Sequence, residues 1–290
     1  MSDKKKIILY PNSENDIGFE MAWRVREMLE KIGRHTVFCP LFVCEAAVGI
    51  PHPGLEATSI EDELADAEMI ITFGGDGTIL RASRVSADFG VPILGVNLGG
   101  KGFMAELEVE DIELIASVAA GGYKLEYRMM LDAEVVRGGE IVYSDFALND
   151  IVVKGDNKVI DLVLFGDGQR ISHFSGDGAV IATPTGSTAY SMAAGGPIVE
   201  PAAQNIIVTP ICAHILEAKA FVLVSDRHVS VEIGDRKNNP VYMSVDGGDH
   251  VGILRDDVIN IRKSERCARL VRLTNRSFYK KVSDKLGDRS

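Results

Sequence analysis

The sequence predicts a two-part protein, an N-terminal α/β domain with a parallel sheet followed by a C-terminal all-β, sandwich-like domain. Three observations carry this expectation. Up to Ala120, short apolar runs alternate with stretches of helical spacing, the order that winds a parallel sheet. After Gly121-Gly122 helical windows nearly vanish, and runs rich in Val and Ile follow, separated by Gly, Asp and Asn turns. A length of 290 residues suits two medium domains, each able to bury its own core. The divisions are expected at residues 1–122, 123–272 and 273–290, the last carrying a terminal helix.

Taken in order, residues 7–10 form an apolar run stopped by Pro11, a first strand. Residues 17–32 have helical spacing, with Phe19, Met21, Val25, Met28, Leu29 and Ile32 toward the core and Gly33 as the stop. Residues 36–39 read as a second strand, and residues 40–53, broken by Pro51 and Pro53, as a loop. Ser59-Ile60-Glu61-Asp62 sets an N-cap residue before an acidic first turn, so a short helix should open there. Strands are expected over 69–73 and 91–97, and helices over 79–85 and 109–120. Further strands follow over 133–136, 141–143, 150–153, 159–165 and 178–182, and a last helix over 277–286.

Composition narrows the function. Hydrophobic content of 46% with 25% charged residues belongs to a globular protein and excludes a disordered one. A net charge of −11 argues against a nucleic-acid partner, which would need a basic face. No window approaches the length of a membrane span, and the apolar run behind the basic Met1–Lys6 stretch is too short for a signal peptide. Cys39, Cys44, Cys212 and Cys267 form no C-x-x-C pair and read as thiols in a reducing, cytoplasmic setting. The histidines form no H-E-x-x-H set, so no protein-built zinc site is expected.

The chemistry is concentrated in a few stretches. Phe73-Gly74-Gly75-Asp76-Gly77-Thr78 joins a strand to a helix. Gly74, Gly75, Gly77 and Thr78 would let phosphate approach the backbone where the first helical N–H groups point unpaired. Asp76 is out of place in a pure anion site. It serves a hydroxyl beside the phosphate, bridges through a metal, or caps the helix. Gly95-Val96-Asn97-Leu98-Gly99-Gly100-Lys101-Gly102 has Walker A spacing but lacks the Ser or Thr that would ligate Mg²⁺, and Gly100–Ala105 is a weak dinucleotide match. Thr183-Pro184-Thr185-Gly186-Ser187-Thr188-Ala189-Tyr190-Ser191 offers hydroxyls, backbone donors and a flat ring suited to a base or ribose. The alternative is a solvated loop capping a helix. Asn149 and Asp150 sit side by side at a strand start, where strand alternation would send them to opposite faces. Asx turn chemistry is the other reading.

Taken together, Phe73–Thr78, Asn97-Leu98-Gly99 with Gly102-Phe103, Ala147-Leu148-Asn149-Asp150, and Asp177-Gly178 with Thr183–Tyr190 resemble the NAD kinase family in order and spacing. The glycine turn is shared with lipid kinases and phosphofructokinases, while the T-P-T-G-S-T-A-Y block is narrower. The resemblance implies phosphoryl transfer from ATP, or polyphosphate, to the 2′-hydroxyl of the adenosine ribose of NAD, with Mg²⁺ or another divalent cation. It implies Asp76 as proton acceptor with Gly77 and Arg81 nearby. Asn149, Asp150, Asp177, Thr188, Ala189, Tyr190, Ser191, Met192 and Ala193 would line the dinucleotide site. The last residues would return to the first domain, in a homo-oligomer, a dimer or tetramer. The chain departs from the family pattern at Gly248, where a glutamine is frequent, at Lys219-Ala220 in place of Arg-Pro, at Lys101 and at Ser175.

Overall fold

A strand inside a covered parallel sheet is buried on both faces and reads as an uninterrupted apolar run, and the first strand, β1 (Lys6–Pro11), is buried from Ile7 to Pro11. The structure is a computed structural model that describes residues 5–41, 57–100, 102–214, 218–234, 239–273 and 278–287. Lys101 and most of the loop expected over 40–53 lie outside the described residues. After β1 the chain forms α1 (Glu20–Lys31), β2 (Thr36–Phe38), α2 (Ile60–Glu63), β3 (Ala67–Gly74) and α3 (Asp76–Ser86). It continues through β4 (Ile93–Asn97), β5 (Leu107–Glu108) and α4 (Ile115–Ala119).

The strands pair in the order β2-β1-β3-β4, all parallel, and β5 adds to β4 in parallel as well. Alternation sorts the two faces. Ile7, Leu9, Met69, Ile71, Phe73, Leu94 and Val96 pack with Ala22, Val25 and Leu29 of α1 and with Ile115 and Val118 around α4. On the opposite face Ile79 of α3 occupies the space that a Cβ on Gly95 would fill. Helices therefore cover both faces.

Two expected helices differ in detail. The first begins at Glu20, because Gly18 and Phe19 take positive φ values of 68° and 58° and break the run into a 3₁₀ turn. The Asp16 carboxylate caps the helix proper, accepting the Met21 and Ala22 N–H groups at 2.9 Å each. Ile32, expected in the core, falls past the helix end and is 50% exposed, while Ala22 is buried. The helix expected over 109–120 is 3₁₀ over Val109–Leu114 and becomes α4 only from Ile115.

From β6 (Lys124–Arg137) the chain is almost all strand: β7 (Glu140–Ala147), β8 (Asp150–Gly155), β9 (Ile160–Gly166), β10 (Gln169–Gly176) and β11 (Gly178–Ala182). The short α5 (Tyr190–Ala193) interrupts, then β12 (Asn205–Ile211), β13 (Phe221–Val224), β14 (Val229–Ile233), β15 (Val241–Val245), β16 (Val251–Ile253) and β17 (Val258–Arg272) follow, with α6 (Phe278–Leu286) last. Residues Met1–Tyr127 with Ala268–Ser290 make one unit, and Arg128–Cys267 another. The divisions lie inside β6, between Tyr127 and Arg128, and inside β17, between Cys267 and Ala268, each five residues from the expected bounds at 122 and 272.

The second unit is a sandwich. One layer pairs β10-β9-β14-β17, with β6 beside β17 and β7 beside β6; the other has the order β13-β12-β11-β8-β15-β16. Leu131, Val135, Leu162, Leu164 and Val231 from the first layer meet Ile151, Val153, Ile181, Val208 and Met243 from the second. No described helix is long and apolar enough to cross a membrane.

Candidate active site

In the α/β unit β3 ends at Gly74 and α3 opens at Asp76, with Gly75 as the extended N-cap. Gly74 is required by crowding: a Cβ there would stand 2.4 Å from Thr78 Oγ1 and 3.2 Å from Asn15 Oδ1. Gly77 is exposed at the helix mouth and Thr78 is buried. Arg81 lies one turn further along α3, exposed.

Asp76 does not cap the helix. It occupies the first helical position, and its carboxylate accepts the N–H groups of Phe103 at 2.6 Å and Met104 at 3.0 Å. The turn is thus tied to the loop after β4. Asn97 shapes the same loop by donating to Gly100 O at 2.8 Å and Glu108 Oε2 at 2.7 Å. A Cβ on Gly102 would lie 2.5 Å from Asp76 Oδ1, so the residue that spoils the Walker A match is glycine because the carboxylate fills its space. Two of the roughly four lone-pair sites of Asp76 are engaged, and the rest remain for a ligand.

A cleft of about 360 Å³ opens on the outer face of the second layer of the sandwich. Alternate residues of β8, Asp150, Val152 and Lys154, and of β15, Tyr242 and Ser244, line it in register, since Tyr242 pairs with Lys154 and Ser244 with Val152. Ala189 and Tyr190 form a wall, and Asp246, Gly247 and His250 close one end. Tyr242 and His250 stack with ring centroids 4.0 Å apart. Asn149 lines the same cleft as Asp150, contrary to the opposite-face expectation, because β8 begins only at Asp150 and strand alternation does not reach back to Asn149. Burial, and then the nearby Asp246 carboxylate, push the Asp150 carboxyl up to about 7, with the Tyr190 N–H working the other way.

The T-P-T-G-S-T-A-Y block serves the fold more than a ligand. Thr183, Thr185, Ser187 and Ser191 are all buried. Thr183 Oγ1 donates to Leu148 O at 2.6 Å, and Ser187 Oγ donates to Pro184 O at 2.7 Å and accepts from Val199 N–H at 3.1 Å. Ser191 Oγ meets Thr209 Oγ1 at 3.0 Å, and Arg128, itself buried, donates to Thr185 Oγ1 at 3.2 Å. These hydroxyls hold a 3₁₀ turn over Thr185–Thr188 and α5 against the sheet, so that Ala189 and Tyr190 face the cleft. Thr188, Ser191, Met192 and Ala193 do not line it.

Asp177 is also outside the cleft lining. It sits at the bend between β10 and β11, with its N–H on Ile211 O and its C=O receiving the Gly155 N–H, each at 3.0 Å. Asp246, Tyr242, Ser244, Lys154 and His250 were not singled out in the sequence as site residues. In Tyr242-Met243-Ser244-Val245 polar and apolar residues alternate, and that alternation is the signal that marks Tyr242 and Ser244; in Asp150–Lys154 the apolar Val152 on the cleft face interrupts it.

A glycine turn that opens a helix in an α/β unit, with a carboxylate at its first position, and a half-polar cleft on a β-sandwich define a phosphotransferase that handles nucleotides. Residues 52–123 match the ATP-NAD kinase N-terminal domain and residues 148–273 the ATP-NAD kinase C-terminal domain. An NAD kinase of Acetivibrio thermocellus is 33% identical over 288 residues, 98% of each chain. One of Carboxydothermus hydrogenoformans is 37% identical over 235 residues, 80% of this chain and 84% of that one. The solved structure of an NAD kinase from Archaeoglobus fulgidus in complex with ATP is similar with a TM-score of 0.74 at 25% identity, covering 97% of this chain and 98% of that one. Yeast NADH kinase complexed with NADH shares the fold, with a TM-score of 0.83 at 24% identity over 99% of this chain and 88% of that one. The chain belongs to the NAD kinase family, and it is a kinase.

Proposed function

We propose that the protein transfers the terminal phosphoryl group of ATP to the 2′-hydroxyl of the adenosine ribose of NAD, giving NADP. Family membership supports the reaction, and one observation carries the site assignment: Asp76 stands at the mouth of α3 with its carboxylate pinned by two loop N–H groups and lone pairs to spare. An ordinary carboxylate is too weak a base to strip a ribose hydroxyl before reaction. In a loose phosphoryl-transfer transition state the proton leaves late, so Asp76 orients the hydroxyl in line and accepts its proton as the new P–O bond forms. The N–H groups of Gly75 and Gly77 face the donor phosphates, while that of Thr78 is taken by Gly75 O at 3.0 Å.

Asn149, Asp150, Ala189 and Tyr190, which line the cleft, are assigned to NAD binding. Asp177, Thr188, Ser191, Met192, Ala193 and Arg81 enter this assignment through the family resemblance alone. The family resemblance adds a Mg²⁺ ion carried by the oxygens of ATP itself. Such an ion would screen the charge of the donor phosphates. The resemblance extends the proposal to polyphosphate as a second donor, to a homo-oligomer and to a cytoplasmic location.

The test is incubation with NAD, Mg²⁺ and either ATP or polyphosphate, with NADP read by an NADP-specific dehydrogenase. NADP formation with ATP is expected. Absence of product with both donors would contradict the assignment.

A further inference from the structure

We propose that Asp246 is a positioning residue for the nucleotide cleft: its carboxylate gathers three successive backbone N–H groups and so fixes the direction of Asn149 and Asp150. This rests on the reading of the cleft as the NAD site. Asp246 Oδ2 accepts the Leu148 N–H at 2.8 Å, and Oδ1 accepts those of Asn149 at 2.7 Å and Asp150 at 3.0 Å. The carbonyls of the same three residues are held as well. Leu148 O receives the Thr183 hydroxyl at 2.6 Å, Asn149 O the Thr183 N–H at 2.9 Å, and Asp150 O the Asp246 N–H at 2.9 Å.

All six polar backbone groups of residues 148–150 are therefore paired, and the donors all end on one side chain. No strand partner could supply this, because three adjacent N–H groups in an extended chain point alternately to opposite sides. A carboxylate accepts several donors at once, and its charge strengthens each bond. Asp246 reaches the position by taking a φ of 50°, a left-handed conformation that costs a non-glycine residue energy. Strain of this kind persists where the surroundings over-determine it. What the arrangement frees is the Asn149 carboxamide, which has no hydrogen-bond partner among the described residues and lines the cleft.

The same carboxylate faces the Asp150 carboxyl as a like charge. The other groups around Asp150 are Lys154 on its own strand, Tyr242 on β15, His250 beyond the Asp246 turn, and Tyr190 with its N–H on α5. Removing the Asp246 charge leaves these in place and should let Asp150 ionise at lower pH.

Steady-state kinetics of the full-length chain with NAD and ATP across pH 5.5 to 9 test this, on wild type, Asp246→Asn and Asp246→Gly. Asparagine keeps the shape and tolerates positive φ, but its NH₂ cannot accept; glycine adopts the turn freely and removes the side chain, so it preserves the fold if asparagine does not. In both variants the KM for NAD should rise about ten- to a hundredfold, the scale of a misplaced binding group, while the KM for ATP stays within about twofold. The ionisation seen in kcat/KM for NAD should move to lower pH. A residue that only stabilised the fold would lower the active fraction and leave both KM values and the pH profile unchanged. That outcome, or a parallel rise in both KM values, overturns the proposal. Wild-type enzyme that makes no NADP would instead overturn the reading of the cleft.

Discussion

At Gly102 one missing methyl group decides where the candidate base sits. Because the atom that a Cβ would meet is the end of the Asp76 side chain, Gly102→Ala should change stability little and push the carboxylate off its Phe103 and Met104 donors. Turnover should fall about tenfold or more with the melting temperature nearly unchanged, as judged by kinetics and thermal unfolding side by side. Unchanged turnover would detach Gly102 from the chemistry. Asp150 gives a second residue-scale prediction. Its folded pKa is raised from 3.8 to about 7, so the native state holds a proton that the unfolded chain releases, and stability drops as pH rises between those values. Asp150→Asn removes the titration. Its stability relative to wild type should therefore improve from pH 4 to pH 8, by up to a few kcal/mol at about 1.4 kcal/mol per unit. Urea unfolding at the two pH values measures this, and a flat difference would contradict the shift. Asp76 was legible in the sequence because a carboxylate among glycines is conspicuous. Asp246 was not, since nothing in Val245-Asp246-Gly247 tells which distant N–H groups it will gather.

Among the elements, the segment from Thr183 to Ala193 departs most from its sequence reading. Its hydroxyls form a pattern that any reading notices, but whether a hydroxyl serves a ligand or a carbonyl depends on the backbone three residues away, and a 3₁₀ turn brings Pro184 O onto Ser187. Ser187→Ala should leave the part-buried Val199 N–H without its hydroxyl acceptor and cost about 1 kcal/mol of stability, measurable by denaturant unfolding. A loss near zero would mean that the hydroxyl is dispensable and free to serve a ligand after all. Strand β8 was legible as a strand from its apolar residues, whereas no strand was expected over β15. Their role as a cleft floor lay in the alternate positions, and it becomes visible only once the register sets Lys154 beside Tyr242.

For the whole molecule, the sequence carried the division into an α/β part and a β part because each has its own period: 3.6 alternating with apolar strand runs before Gly122, and 2 after it. It did not carry the point of division. Long strands such as β6 and β17 pass through it without a turn to mark it, and the return of residues 268–290 to the α/β unit is a matter of tertiary pairing, with Leu270 beside Ile93. The proposed mechanism rests on Asp76 taking the proton in phosphoryl transfer to NAD. The most direct test compares NADP formation from NAD and ATP by wild type and Asp76→Asn, alongside NAD affinity by calorimetry. Asparagine matches the size and keeps one acceptor oxygen, so NAD should bind within a few-fold of wild type while turnover falls about 10² or more. Turnover close to wild type in a variant that binds NAD normally would contradict the claim and leave Asp76 as no more than an anchor for the Phe103 loop.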